Sequence, residues 1–173
     1  FINFKLTGNY TIDHFSAAFM SPLYDISKQN WSNELNDGII ELEKLPNLVW
    51  TNEIVGKITK SASEATGLAE GTIVTSGTID AAAEAISVGV IGPKDMMMMY
   101  GSTMFYILVT DKILSDKRLW YSPWLFEGEH SSMGGLATSG TLTHWFKNNF
   151  AKEITSDDVF IKLAKEAEDS PPG

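Results

Sequence analysis

Asp80 is the first residue whose type and setting could do chemistry. It follows Thr72-Ile73-Val74-Thr75-Ser76-Gly77, a β-branched run that reads as a short strand, and precedes an alanine-rich helix over Ala81 to Val88. In open α/β sheets ligands gather beyond the carboxyl ends of strands, so a carboxylate placed there can meet a solute. An ionised aspartate can accept a proton from a hydroxyl or help to hold Mg²⁺. The competing reading is that Asp80 caps the helix that follows it. Further along, Tyr100-Gly101-Ser102-Thr103-Met104-Phe105 places a glycine and two hydroxyls in a tight turn, where amides and side-chain oxygens can receive phosphate oxygens. Hairpins use the same residues for geometry alone. Ser139-Gly140-Thr141 opens a helix whose amino-terminal amides could face an anion, and ordinary capping explains those residues equally well. His144 lacks a ligand partner at fixed spacing and His14 and His130 are isolated, so packing or surface roles are expected and no metal site is assigned. There is no Walker A lysine loop, no His-Glu-x-x-His, no Gly-x-Ser-x-Gly and no Gly-x-Gly-x-x-Gly turn.

The elements that must carry these residues follow from pattern. A short helix is expected over Asp13 to Met20, stopped by Pro22. A second helical stretch begins at Trp31-Ser32-Asn33-Glu34-Leu35 and shares one face through Leu35, Ile39 and Leu42. Ser61 and Glu64 have capping-box spacing and Gly67 suits the end of that helix. After Gly92-Pro93 the composition shifts. The run Met96 to Met99 reads as a buried strand, Met104 to Val109 as its partner, and Arg118 to Tyr121 as a third. A helix from Ser139 carries Leu142, Trp145, Phe146 and Phe150 on one face. Another starts at a Ser156 cap with Asp157 and Asp158 in its first turn, burying Phe160, Leu163, Ala164 and Ala167. Strands in succession followed by helices mark a new sheet, giving two domains, residues 1–93 and 94–173.

Composition narrows the class. The 173 residues are 43% hydrophobic and 20% charged, a globular composition. A formal net charge of -9 argues against nucleic-acid partners and anionic membrane surfaces, although backbone amides can still bind phosphate locally. Zero cysteines exclude disulfides and zinc-thiolate sites and fit a reducing, cytoplasmic compartment. The apolar stretch from Met96 to Val109 is broken at Gly101-Ser102-Thr103, short of the roughly 20 residues a membrane helix needs. The chain opens in mid-pattern at Phe1 and stops at Pro172-Gly173 directly after a helix, so it is expected to be an internal piece.

Taken in order, these pieces resemble the middle of the FGGY family of carbohydrate kinases. Leu6-Thr7-Gly8-Asn9-Tyr10-Thr11-Ile12-Asp13 looks like the family's Leu-Thr-Gly-x-Tyr stretch with its following aspartate, and Ser16-Ala17-Ala18 like the small-residue run after it. Leu23-Tyr24-Asp25-Ile26 and Trp31 are similar to the next segment. Gly77-Thr78-Ile79-Asp80-Ala81-Ala82-Ala83 stands where the family carries its catalytic aspartate, and Tyr100-Gly101-Ser102-Thr103-Met104-Phe105 resembles its phosphate-binding turn. The resemblance implies an α/β fragment of the ribonuclease H-like, actin/hexokinase-type ATPase fold, spanning the junction of two domains. It implies transfer of the γ-phosphoryl of Mg-ATP to a small ketose, xylulose first, with ribulokinase, gluconokinase and glycerol kinase activities as alternatives. By the same resemblance Asp80 is the base and contacts substrate, Phe105 borders the sugar, Gly101, Ser102 and Thr103 lie against ATP phosphates, and Gly140 and His144 flank the nucleotide. Ala81 stands where some members have Gln or Asn, Thr103 where many have Gly and His144 where glycerol kinases have Gln, and these departures count against glycerol. ATP and Mg²⁺ are the implied cofactors, and a homodimer of the full-length protein is left open. The competing classes are a non-catalytic actin-like binding protein and an acetate-kinase-like phosphotransferase. The isolated chain is expected to be inactive, because the family's first phosphate turn and its adenosine motif are not in it.

Overall fold

The computed structural model describes residues 1–34, 36–155 and 157–171. The chain divides into two compact units, one of Phe1–Met97 with Ile107–Gly134, the other of Met98–Tyr106 with Gly135–Gly173.

The first unit opens with α1, Ile2–Thr7, which ends at Gly8 in the left-handed region (φ 81°) with the Gly8 amide donating to Phe4 O at 2.8 Å. Strand β1, Thr11–Asp13, runs straight into α2, His14–Ala17, and Asp13 is the cap. A ribbon of β2, Tyr24–Asp25, and β3, Asn30–Trp31, is antiparallel. Strand β4, Asn47–Val49, lies parallel to β1, pairing Thr11 with Asn47 and Asp13 with Val49. Then come β5, Ile54–Lys57, helix α3, Lys60–Thr66, and β6, Ile73–Thr75, which returns antiparallel to β5. Helix α4, Asp80–Ser87, follows and buries Ala82 and Ala85.

Four further strands form one sheet in the order β7-β8-β10-β9: β7 is Met96–Tyr100, β8 Met104–Thr110, β9 Trp120–Pro123 and β10 His130–Leu136. Within the first unit, Ile107, Val109, Trp124, Leu125 and Met133 are almost wholly buried, and the Trp124 ring meets Phe15 edge-on at 5.4 Å. Ser122 and Ser131, both buried, satisfy one another by a hydroxyl pair at 2.8 Å. The second unit holds the turn 101–103 and two helices, α5, Gly140–Phe150, and α6, Val159–Ala167.

Several expectations are corrected. The described residues between Trp31 and Glu41 do not form a helix. The Asn36 amide donates to Asn33 Oδ1 and Ile40 O while its carbonyl accepts from Ile40 N, and Asp37 and Gly38 have φ of 40° and 76°. A side chain offering the backbone these bonds competes with helix, leaving one 3₁₀ turn at Leu42–Lys44. Leu35 lies outside the described residues. The cap of α3 is Thr59, whose hydroxyl accepts from Ala62 N at 3.2 Å, two residues before the expected Ser61. The methionine strand is not buried as a whole: only Met97 is, and Met96, Met98 and Met99 are exposed. The Ser156 cap lies outside the described residues. Helix α6 starts at Val159 with Asp158 at its cap position, and Ala164 and Ala167 are exposed. The third expected strand runs on to Pro123, and β10 was not expected at all.

Candidate functional site

In the second unit two segments 38 residues apart close on one another. The Gly101 amide donates to Thr103 O at 2.9 Å, which shapes the turn between β7 and β8. Ser139 N donates to Ser102 O and Gly140 N to Gly101 O, each at 2.9 Å, and the Ser139 hydroxyl donates to Gly101 O at 2.8 Å. A Cβ on Gly140 would stand 2.7 Å from Gly101 O, so glycine is required there by close approach. Ser139 occupies the cap position of α5, yet its hydroxyl holds the turn rather than a helix amide. Of the four amides an α-helix leaves without an internal partner, those of Ser139 and Gly140 are spent on turn carbonyls. Ser102, Thr103, Gly101 and His144 are exposed, and His144 sits edge-on to Phe160 at 4.9 Å. Phe105 is half-buried against Gly135, where a Cβ would come within 3.3 Å of its ring and 2.8 Å of Met104 O.

In the first unit the loop from β6 to α4 carries Asp80. Ser76 N donates to Glu53 O and Gly77 N to Thr51 O, and Gly77 turns the chain with φ 69°. Asp80 is exposed at the first position of α4, and its carboxylate accepts from Ala81 N at 2.8 Å. Ile79, not Asp80, is the cap residue, so the capping reading survives only as that one first-turn bond. Asn3 donates to Ser76 O and to Thr11 Oγ1, both at 3.0 Å. The Thr78 hydroxyl donates to Asp13 Oδ2 at 2.9 Å, and the same oxygen accepts from Ser16 N at 3.1 Å. A cleft of about 320 Å³ is lined by Asn3, Asp13, Ser16, Gly77 and Thr78.

Beside Asp13, His14 is buried with its Nδ1 2.7 Å from Tyr24 Oη and its ring 4.2 Å from that of Trp50. Burial holds the His14 pKa below its ordinary value against the opposing pull of Glu53, Asp13 and Glu127. Burial, with Asp13 and Asp25, raises the Tyr24 phenol. A second cleft of about 450 Å³ is lined by His14, Gln29, Asn30, Trp31, Asn47 and Leu48. The sequence places Asp13 at the start of a short helix and within a family-like stretch, and gives His14 a packing or surface role. Their joint burial rests on the pairing of β1 with β4, which no local pattern announces. The Asp25 carboxyl, in a surface turn, is held well below the usual range by the Ser27 hydroxyl and by Lys28. Among the described residues no group of three or more His, Cys, Asp or Glu could hold a metal ion, and no helix is long and apolar enough to cross a membrane.

The chain and its fold have known relatives. Residues 1–87 match the model of the FGGY family of carbohydrate kinases, N-terminal domain. A xylulose kinase of Lactococcus lactis is 30% identical over 166 residues, covering 94% of this chain and 33% of that protein. The crystal structure of xylulose kinase from Rhodospirillum rubrum superposes with a TM-score of 0.84 at 26% identity, covering 99% of this chain and 35% of that one. A gluconate kinase from Lactobacillus acidophilus shares the fold with a TM-score of 0.81 at 20% identity, over 95% of this chain and 34% of that one. The chain thus spans about a third of the length of these relatives. The α/β, actin/hexokinase-type fold expected from sequence is borne out. With half of its length matched by the family model, the chain belongs to the FGGY family of carbohydrate kinases.

Proposed function

We propose that this chain is an internal part of an ATP-dependent kinase that phosphorylates a small ketose, xylulose first. The observation that carries the reading is the closure of the Gly101–Thr103 turn onto the Ser139–Gly140 helix start, in a chain whose similar proteins include xylulose kinases. A turn that exposes hydroxyls and sits against a helix amino terminus suits phosphate oxygens. Gly101, Ser102 and Thr103 receive the ATP phosphates, Gly140 and His144 flank the nucleotide, and Phe105 borders the sugar. In the reaction the ketose oxygen forms a bond to the γ-phosphorus. The bond from that phosphorus to the β,γ-bridging oxygen breaks, and its electron pair leaves with ADP. Asp80 takes the hydroxyl proton. Positioning and charge stabilisation carry most of such a transfer. Mg²⁺, if carried by ATP, would supply charge neutralisation in the transfer. Residues 1–93 belong to one domain of the enzyme and 94–173 to the next, the enzyme is cytoplasmic, and the isolated chain does not turn over.

The reading is tested by ATP consumption of the full-length protein over xylulose, ribulose, gluconate, glycerol and acetate. The largest kcat/KM is expected for xylulose. A preference for gluconate or glycerol would move the substrate within the family, and consumption with acetate alone would overturn the sugar kinase reading.

A further inference from the structure

Asp13 is 4% exposed, and the same carboxylate oxygen accepts from the Ser16 amide and from the Thr78 hydroxyl. The first bond is an ordinary cap on α2, which a serine or asparagine would make as well. The second reaches 65 residues along the chain to the loop between β6 and α4, two residues ahead of Asp80. A buried carboxylate carries a desolvation cost that a neutral cap avoids, and the Thr78 hydroxyl is the partner that offsets it beyond the cap on α2. A second side chain, Asn3, also holds the loop, donating to Ser76 O at 3.0 Å, while Asp80 itself is exposed and, among the hydrogen bonds described, bonds only its neighbour's amide. Asp80 opens α4, which is seated by buried Ala82 and Ala85, and the loop that leads into it sets how the first turn of that helix enters.

We infer that Asp13, acting through Thr78, is a positioning residue for phosphoryl transfer: it fixes the loop Ser76–Ile79 and so the place from which Asp80 accepts the proton. The inference rests on the reading of Asp80 as the base. A group displaced by about 1 Å can cost on the order of a hundredfold in rate, and the Thr78–Asp13 bond is the tether nearest to Asp80 on a loop whose start is already held by Ser76 N to Glu53 O and Gly77 N to Thr51 O.

The test is a mutant cycle in the full-length enzyme, with kcat and both KM values measured on xylulose and ATP. Thr78→Val keeps the shape and removes the donor, and Thr78→Ser keeps the donor. Thr78→Val should lower kcat by about ten- to a hundredfold with the KM for ATP unchanged, and Thr78→Ser should stay near wild type. Asp80→Asn alone should lower kcat by roughly 10²–10⁴. In that background Thr78→Val should cost less than about twofold more, because the group it positions is gone. Thr78→Ala gives the same comparison should valine prevent folding. Unchanged kcat in Thr78→Val beside an impaired Asp80→Asn overturns the positioning role, as does an equal loss in both backgrounds. Full activity of Asp80→Asn instead overturns the base reading itself, and this inference falls with it.

Discussion

Asp13 holds Thr78 in the loop that leads into Asp80, and the surroundings of the two aspartates divide the work. Asp80 is exposed and open to a solute, whereas Asp13 is buried and spends its oxygen on the protein. Asp80 was legible in the sequence because a strand, a glycine and a helix bracket it locally. The partnership of Asp13 with Thr78 was not, since no pattern of period 2 or 3.6 links residues 65 apart. His14 was equally hidden, and its burial has a consequence in pH. The folded protein binds a proton at His14 less readily than the unfolded chain, whose ordinary value is 6.5. The stability gained from neutral His14 is full above that value and is lost as pH falls below it toward the lower folded pKa. Thermal melts of the full-length protein from about pH 7.5 to 5 should show the wild-type Tm falling more steeply than that of His14→Gln. Parallel slopes would contradict the burial argument.

At the scale of elements, sequence reasoning worked where the signal is local and failed where side chains or distant strands decide. The β6–α4 junction, the β7–β8 pair and α5 were read from β-branched runs, glycine turns and a helical stripe. The segment 31–42 was misread because an apolar spacing of helical type is overridden by the three bonds of the Asn36 side chain and by positive φ at Asp37 and Gly38. Strand β10, His130-Ser131-Ser132-Met133-Gly134-Gly135-Leu136, is rich in serine and glycine and carries no strand signature. Its place comes from pairing with β9, Ser131 opposite Ser122. The contact between the 101–103 turn and α5 likewise needed the fold, and it makes two glycines behave differently. Gly140→Ala forces a Cβ to 2.7 Å from a backbone oxygen and should destabilise the protein by about 1–3 kcal/mol. A Cβ at Gly101 meets nothing nearer than Thr103 O at 3.9 Å, so Gly101→Val should fold normally yet raise the KM for ATP or abolish activity. Melting and steady-state kinetics on both variants check this. A stable Gly140→Ala, or a Gly101→Val with wild-type kinetics, would remove that part of the site.

For the whole molecule, the order of motifs along the chain said more than any one of them. Turn, aspartate, second turn and helix start each have bland explanations, and their sequence together pointed to the family that residues 1–87 match. Which sugar is taken was not legible to the same degree, because the chain spans about a third of its relatives and kinases for other substrates share the fold. The apolar stripe of α5 was read correctly as a stripe, yet Leu142, Trp145, Phe146 and Phe150 are all exposed in this chain. A helical period identifies a face without saying what covers it. The central claim is sugar phosphorylation, and its most direct measurement is the fate of a γ-labelled ATP incubated with the full-length protein and xylulose. The label should appear in a xylulose phosphate ester in proportion to ADP formed. Label released only as inorganic phosphate, at the same rate with and without any sugar, would contradict the account.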